Sequence, residues 1–219
     1  ARDNSMYVLA DAAQSFGASY KDKKVGSLAL VTSTSFFPTK PLGCYGDGGS
    51  IFTNDENIEK ILRSLRSHGA GQDRYDNIRI GINSRLDTLQ AAILIQKLNL
   101  LENEILLRQK VADRYNRGLK NEIFKPVIKA DRKSAWAQYT IKVKQRDNII
   151  DKLKEAGVPT AVYYPVPLHL QPAYKDFLCS PKGVIISENL AKNVLSLPIS
   201  SYLPKEQQNF VIESLNKCF

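Results

Sequence analysis

Lys40 is the residue of this sequence with the most evident chemical potential. It follows the apolar run Ser27 to Phe37 and then Pro38-Thr39, and it precedes the glycine-rich stretch Gly43-Cys44-Tyr45-Gly46-Asp47-Gly48-Gly49. A side chain placed there can enter a cleft rather than open solvent. A lysine amine is a nucleophile only when deprotonated, from a reference pKa of about 10.4. Partial burial, neighbouring positive charge or Schiff-base formation with a carbonyl makes that possible near neutrality. An ordinary surface lysine in a loop is the alternative at this position.

Asp11 ends the apolar run Tyr7-Val8-Leu9-Ala10. A carboxylate at the tip of a buried strand is poorly solvated unless a cation faces it. A pyridinium nitrogen is one such partner, and an aspartate there keeps the ring protonated and able to accept electrons. A turn or helix-capping aspartate is the competing use. Ser35, upstream of Lys40, has a hydroxyl to offer a phosphate, or is simply a strand residue. Gln14 suits contact with a ring or a substrate carbonyl, and equally a solvated surface.

The elements that must position these residues read as α/β. Tyr7–Ala10, Ser27–Phe37 and Ser50–Thr53 are expected as buried strands. They lack period-two alternation, so a sheet covered on both faces is expected. Asn54 or Asp55 is placed to cap a helix running to about Arg66, with Ile58, Ile61, Leu62 and Leu65 at helical spacing. Ser84 and Asp87 resemble a capping box for a long helix with the stripe Leu94, Leu98, Leu101, Ile105, ending near Gly118. Beyond residue 120 the pattern becomes α+β. A strand is expected over Ala135–Lys144, a helix over Asp147–Ala156 closed by Gly157, and a strand over Val158–Tyr164. Helices are expected at about 187–195 and 205–217.

Composition narrows the class. Hydrophobic residues make up 43% of 219, enough for a real core, and 24% are charged, so disorder is not indicated. No run approaches the ~20 apolar residues of a spanning helix, and no signal peptide is visible. The expectation is a soluble, cytoplasmic protein. Cys44, Cys179 and Cys218 are widely spaced, and only His68 and His169 exist, so no metal site is expected. The net charge of +9 comes from dispersed lysines and arginines without a dense basic run, which argues against nucleic acid as a partner. The chain begins at Ala1, close to a strand, and an internal start is expected.

Several blocks resemble the DegT/StrS-type sugar aminotransferases, which are fold-type I enzymes dependent on pyridoxal 5′-phosphate (PLP). They are DAAQSFGA at 11–18, SFFPTK at 35–40, GDGG at 46–49, GINSRLDTLQAAIL at 81–94, YYPVPLHLQPAY at 163–174 and SLPIS at 196–200. The resemblance implies that residues 1–120 are the last part of a PLP-binding large domain plus its connecting helix. Residues 121–219 then form a smaller α+β domain. By resemblance, Lys40 forms the Schiff base and relays protons, Asp11 faces the pyridine nitrogen, Gln14 lies beside the ring and Ser35 binds the phosphate. Asn83 matches an asparagine that reaches the cofactor phosphate of the neighbouring subunit, which implies a homodimer with a shared site. Arg85, Tyr164 and His169 match substrate-contacting positions, although many relatives carry histidine where this chain has Tyr163.

The implied reaction moves an amino group from an amino acid, glutamate being the expected donor, to a keto group of a nucleotide-linked sugar. LGCYGDGG with IGINSRLDTLQAAIL resembles enzymes that act on a UDP-2-acetamido-3-ketoglucuronate in bacterial surface-polysaccharide synthesis. Relatives that dehydrate sugars carry histidine in place of the lysine, so Lys40 points to amino transfer. Two other readings stay open: a PLP-binding regulator or sugar sensor of the same family, and a cofactor-free domain that binds polyanions. The family is longer than this chain, so the chain alone is expected to be inactive.

Overall fold

The computed structural model describes residues 1–73 and 75–219. In chain order the elements are β1 (Leu9–Asp11), β2 (Ser19–Tyr20), β3 (Lys23–Lys24), β4 (Val31–Ser35), β5 (Gly49–Thr53), α1 (Glu56–Arg66) and α2 (Thr88–Gly118). They continue with β6 (Arg132–Lys133), β7 (Tyr139–Lys142), α3 (Arg146–Glu155), α4 (Ile185–Asn193), β8 (Val194–Leu197) and α5 (Lys205–Asn216). The fold is mixed α/β. Two compact units are present, Ala1–Leu106 with Ile128–Ala137, and Leu107–Val127 with Gln138–Phe219. Their division runs through α2, whereas the change of sequence character lies near residue 120.

In the first unit β4 is the central strand, parallel to β1 and antiparallel to β5. A parallel pair needs a crossover of a dozen or more residues, commonly a helix. Here residues 12–30 supply it as turns and a β2–β3 hairpin, whose second edge pairs with β6. The hairpin turns through Lys21 and Asp22, both with left-handed φ (47° and 61°), the backbone a two-residue hairpin requires. On β3, Lys24 Nζ donates to Glu102 Oε1 of α2 at 2.6 Å and holds that carboxyl below its ordinary range.

One face of the β1-β4-β5 sheet is buried and the other is open in this chain. Thr32, Thr34, Phe36 and Ala12 are buried, while Leu9 is 69% exposed and Ile51 50% exposed. The expected cover is present on one face of the sheet in this chain. Beneath the closed face, Phe36, Leu42 and Cys44 pack with Leu94 and Leu101 of α2, joined by Phe16, Leu86 and Ile105. Each such side chain, fully buried, stabilises by roughly 1.5–3 kcal/mol. Leu98, expected in the same stripe, is exposed instead.

Helix starts divide into those set locally and those set at a distance. Asp55 caps α1, accepting the N–H groups of Asn57 and Ile58 at 2.9 and 3.0 Å, as its side-chain chemistry predicts. The box expected at Ser84 does not form. Asn83 bridges to Ser67, and Ser84 N–H donates to Arg66 O at 3.0 Å, so the chain stays extended and α2 begins at Thr88.

In the second unit β7 and β8 form an antiparallel pair, with Tyr139 opposite Leu197 and Lys142 opposite Val194. The buried core includes Tyr115, Ile123, Tyr139, Ile141, Leu153, Leu195 and Leu215. The strand expected from Ala135 starts only at Tyr139, because Trp136 adopts φ 49°. The strand expected over Val158–Tyr164 is reduced to one bridge, Ala161 to Ser196, since Pro159 and Pro165 cannot donate to a ladder. Residues 194–197, partly expected as helix, pair with β7 as strand β8 instead. Gly157 (φ 78°) closes α3 as expected, its N–H donating to Lys154 O at 2.9 Å.

Candidate active site

Because β1 and β4 are parallel, their carboxyl ends share one edge of the sheet, the edge at which open α/β sheets bind ligands. Asp11 is registered with Ser33. Side chains alternate along a strand, so Ser35 shares the face of Asp11 and lies about 6.6 Å further along. This is the open face. Asp11 Oδ1 accepts the N–H of Ala13 at 2.9 Å, which orients the carboxylate, and Oδ2 has no partner among the described residues. Ser35 Oγ accepts the N–H of Phe37 at 3.2 Å, so its hydroxyl hydrogen remains to be donated outward. Gln14 is exposed in the turn that follows β1.

Lys40 sits half-buried in the segment between β4 and β5. Its N–H donates to Phe37 O at 2.9 Å and closes a turn. The segment then folds back: Cys44 N–H donates to Phe36 O at 2.8 Å, and Phe36 N–H to Gly48 O at 2.7 Å. Leu42 and Cys44 are buried on either side of the return. The close approach requires Gly43, where a Cβ would stand 2.5 Å from Pro38 O and 2.7 Å from Phe37 O. The Cys44 thiol lies 3.1 Å from both Phe36 O and Gly46 O, and the Tyr45 N–H donates to Gln90 Oε1 at 2.8 Å. Lys40 is thus the free crest of a loop whose two feet are anchored.

The donor set has a defined chemistry. An amine, an oriented carboxylate with one unclaimed oxygen, and a hydroxyl with an unclaimed hydrogen stand at one strand edge or in the loop leaving it. These groups match a molecule carrying an aldehyde, a basic ring nitrogen and a phosphate, which is the constitution of PLP. The residues present fit that group.

Asn83 and Arg85 form a pair of their own, Arg85 Nε donating to Asn83 Oδ1 at 3.0 Å, with both side chains exposed. Neither is hydrogen-bonded to Asp11, Ser35 or Lys40 among the described residues. Tyr164 and His169 line an open cavity of about 400 Å³ in the second unit, with Thr140, Leu190 and Ser196. His169 Nε2 is 3.0 Å from Glu188 Oε1 of α4. Sequence reasoning did not single out Glu188 or Gln90. Each is tied to its partner by a hydrogen bond across 19 and 45 residues, and no local pattern announces such a contact. The three cysteines are free, and no metal-binding cluster of His, Cys, Asp and Glu occurs among the described residues. No helix among them is long and apolar enough to cross a membrane.

Comparison with known proteins gives a consistent answer. The profile of the DegT/DnrJ/EryC1/StrS aminotransferase family matches residues 1–216. A UDP-2-acetamido-2-deoxy-3-oxo-D-glucuronate aminotransferase of Pseudomonas aeruginosa is 52% identical over 197 residues, 90% of this chain and 54% of that protein. A pleiotropic regulatory protein of Geobacillus stearothermophilus is 41% identical, with 98% of this chain and 59% of that protein covered. The crystal structure of a DegT/DnrJ/EryC1/StrS aminotransferase from Brucella abortus superposes with a TM-score of 0.97 at 45% identity, over 99% of this chain and 58% of the other. The chain spans a little over half the length of the curated relatives it matches.

Proposed function

Because the chain belongs to the DegT/DnrJ/EryC1/StrS aminotransferase family, we propose that it carries the central residues of a PLP-dependent nucleotide-sugar aminotransferase. The observation that carries this reading is the placing of Asp11 and Ser35 on one open face at the carboxyl edge of β1 and β4, with the Lys40 loop leaving that edge. The substrate reading is finer: a UDP-2-acetamido-3-keto-glucuronate as acceptor and glutamate as donor, in bacterial surface-polysaccharide synthesis. The 52% identity to the Pseudomonas aeruginosa enzyme supports it. In this reading residues 1–120 are the last part of a fold-type I large domain with its connecting helix, and 121–219 the small domain. The protein acts in the cytoplasm as a homodimer.

PLP, when bound, supplies the electron sink for amino transfer. The rest falls to side chains of this chain. The Asp11 carboxylate, with Oδ2 unclaimed, would face the ring nitrogen and favour its protonated form. Ser35 Oγ donates to a phosphate oxygen. Lys40 Nζ would be the amine that holds the cofactor's aldehyde group, and as a free amine it could take and return a proton beside it. Gln14 lies beside the ring. Asn83 reaches the phosphate bound by the partner subunit. Arg85 offers a fork of donors to the pyrophosphate or carboxylate of the sugar nucleotide, with Tyr164 and His169 as further substrate contacts.

The decisive test is to join the chain to the upstream region that its relatives carry, incubate with PLP, reduce with borohydride and map the labelled peptide by mass spectrometry. A pyridoxyl group on Lys40 is expected; label on another lysine, or on none, overturns the reading. Release of 2-oxoglutarate from glutamate with the keto-sugar then tests the substrate. The similarity to a pleiotropic regulatory protein favours a second reading, a PLP-binding regulator. That reading requires label on Lys40 together with no turnover of any nucleotide keto-sugar.

A further inference from the structure

The loop that carries Lys40 is anchored at its upstream foot by β4, whose ladder ends at Ser35. Its downstream foot lies outside any strand until Gly49, and there a side chain of α2 takes over. Gln90, in the first turn of that helix, accepts the Tyr45 N–H through Oε1 at 2.8 Å. The fit is close, since a Cβ on Gly46 would stand 3.1 Å from Gln90 Nε2. Buried Cys44, just upstream, is held by its own N–H on Phe36 O at 2.8 Å, while its thiol, a weak donor, lies between two carbonyl oxygens. The Gln90 bond therefore fixes the next residue, where the return passes into residues 46–48. Tyr45 is itself exposed, so side-chain burial does not hold this point of the loop.

We propose that Gln90 is a positioning residue for Lys40: by holding the Tyr45 amide it fixes the downstream foot of the loop and so the height at which the lysine amine is presented. This rests on the reading of Lys40 as the cofactor lysine. Gln90 needs no contact with cofactor or substrate. Its effect passes through the main chain from Tyr45 to Lys40, and any residue able to accept that amide hydrogen serves the same purpose.

The test compares Gln90→Leu, which removes the acceptor at similar size, with Gln90→Glu, which keeps it. Two measurements are made on the full chain: hydrogen exchange of peptides covering residues 41–48 without cofactor, and the rate at which borohydride fixes PLP on Lys40. Gln90 is half-buried, and both variants are expected to fold with near-normal melting temperature. In Q90L the Tyr45 amide should exchange about tenfold faster and the trapping rate at Lys40 fall about tenfold, the ratio carried by one lost hydrogen bond. Q90E should restore both to within about twofold of wild type. In the active enzyme Q90L should lower kcat and leave the KM for the amino donor unchanged. Trapping at the wild-type rate in Q90L, or failure of Q90E to rescue, overturns the proposal. Absence of label on Lys40 in the wild type instead sinks the cofactor reading on which it rests.

Discussion

Asp11 and Ser35 project from the same face of two parallel strands, with Asp11 in register with Ser33 and Ser35 one side-chain repeat beyond. Each is oriented by a main-chain N–H two residues downstream; Asp11 keeps Oδ2 unclaimed and Ser35 keeps its hydroxyl hydrogen. A carboxylate and a hydroxyl are thereby offset by about 6.6 Å along the strand direction on one face, rather than paired with one another.

Asp11→Asn keeps the size and the bond to Ala13 but cannot balance a ring proton. In the active enzyme kcat should fall by at least about 100-fold, the scale for loss of one pre-placed electrostatic partner. Steady-state kinetics at saturating PLP checks this, and a change below about threefold would detach Asp11 from the mechanism.

Gly43→Ala places a methyl 2.5 Å from Pro38 O, inside contact distance of main-chain atoms that cannot swing away. The Lys40 turn must open to admit it. A stability loss of roughly 1–3 kcal/mol is expected, with slower borohydride trapping at Lys40. Urea unfolding and peptide mapping read the two effects separately.

The second unit contains a tyrosine pair that should make its stability sensitive to alkali. Tyr115 and Tyr139 are fully buried with ring centroids 4.8 Å apart, and their hydroxyls donate to Pro198 O at 2.7 Å and Asn116 Oδ1 at 2.6 Å. Burial holds both phenols well above their ordinary value of 10.0, and the neighbouring Tyr139 adds to the effect on Tyr115. A raised folded-state value means the stability is fully present below about pH 10 and is lost as pH rises above it, because the unfolded phenols ionise first. The slope is at most about 1.4 kcal/mol per pH unit per phenol. Tyr139→Phe should cost about 1–2 kcal/mol at neutral pH by stranding Asn116 and should flatten the alkaline slope. Urea titrations at pH 7 and above pH 10 check both signs.

Asn216 closes the C-terminus of α2 from the last turn of α5. Its Nδ2 donates to Gly118 O at 2.8 Å, and its Oδ1 accepts the Lys120 N–H at 3.0 Å. Asn216→Ala removes both partners and should destabilise by about 1–2 kcal/mol. Lys125 Nζ donates to Asn116 O and Leu119 O, so those two carbonyls keep their partner in the variant. Chemical denaturation measures it, and an unchanged midpoint would show that water replaces the side chain without cost.

What the sequence by itself determined is what short-range chemistry encodes. Asp55 caps α1 because a carboxylate one residue before a helical stripe reaches the N–H groups of the next turn. Gly157 ends α3 because it tolerates a left-handed backbone. The order of strand, Asp11, strand, Lys40 and glycine-rich turn was likewise readable along the chain, as was the family whose motifs lie in that order. Only the tertiary structure decided the rest. The open face bearing Asp11 and Ser35 follows from which side of the sheet packs on α2, and an apolar strand sequence is silent on that choice. The hairpin at Lys21-Asp22 carries no turn-forming dipeptide and exists because β2 pairs on both edges. Strand β8 was settled by which segment β7 found as its partner. Gln90 and Glu188 acquire partners only when distant main-chain and side-chain groups meet. Local hydrogen-bond reach is written in neighbouring residues, whereas pairing and burial depend on the free energy of the whole packed unit.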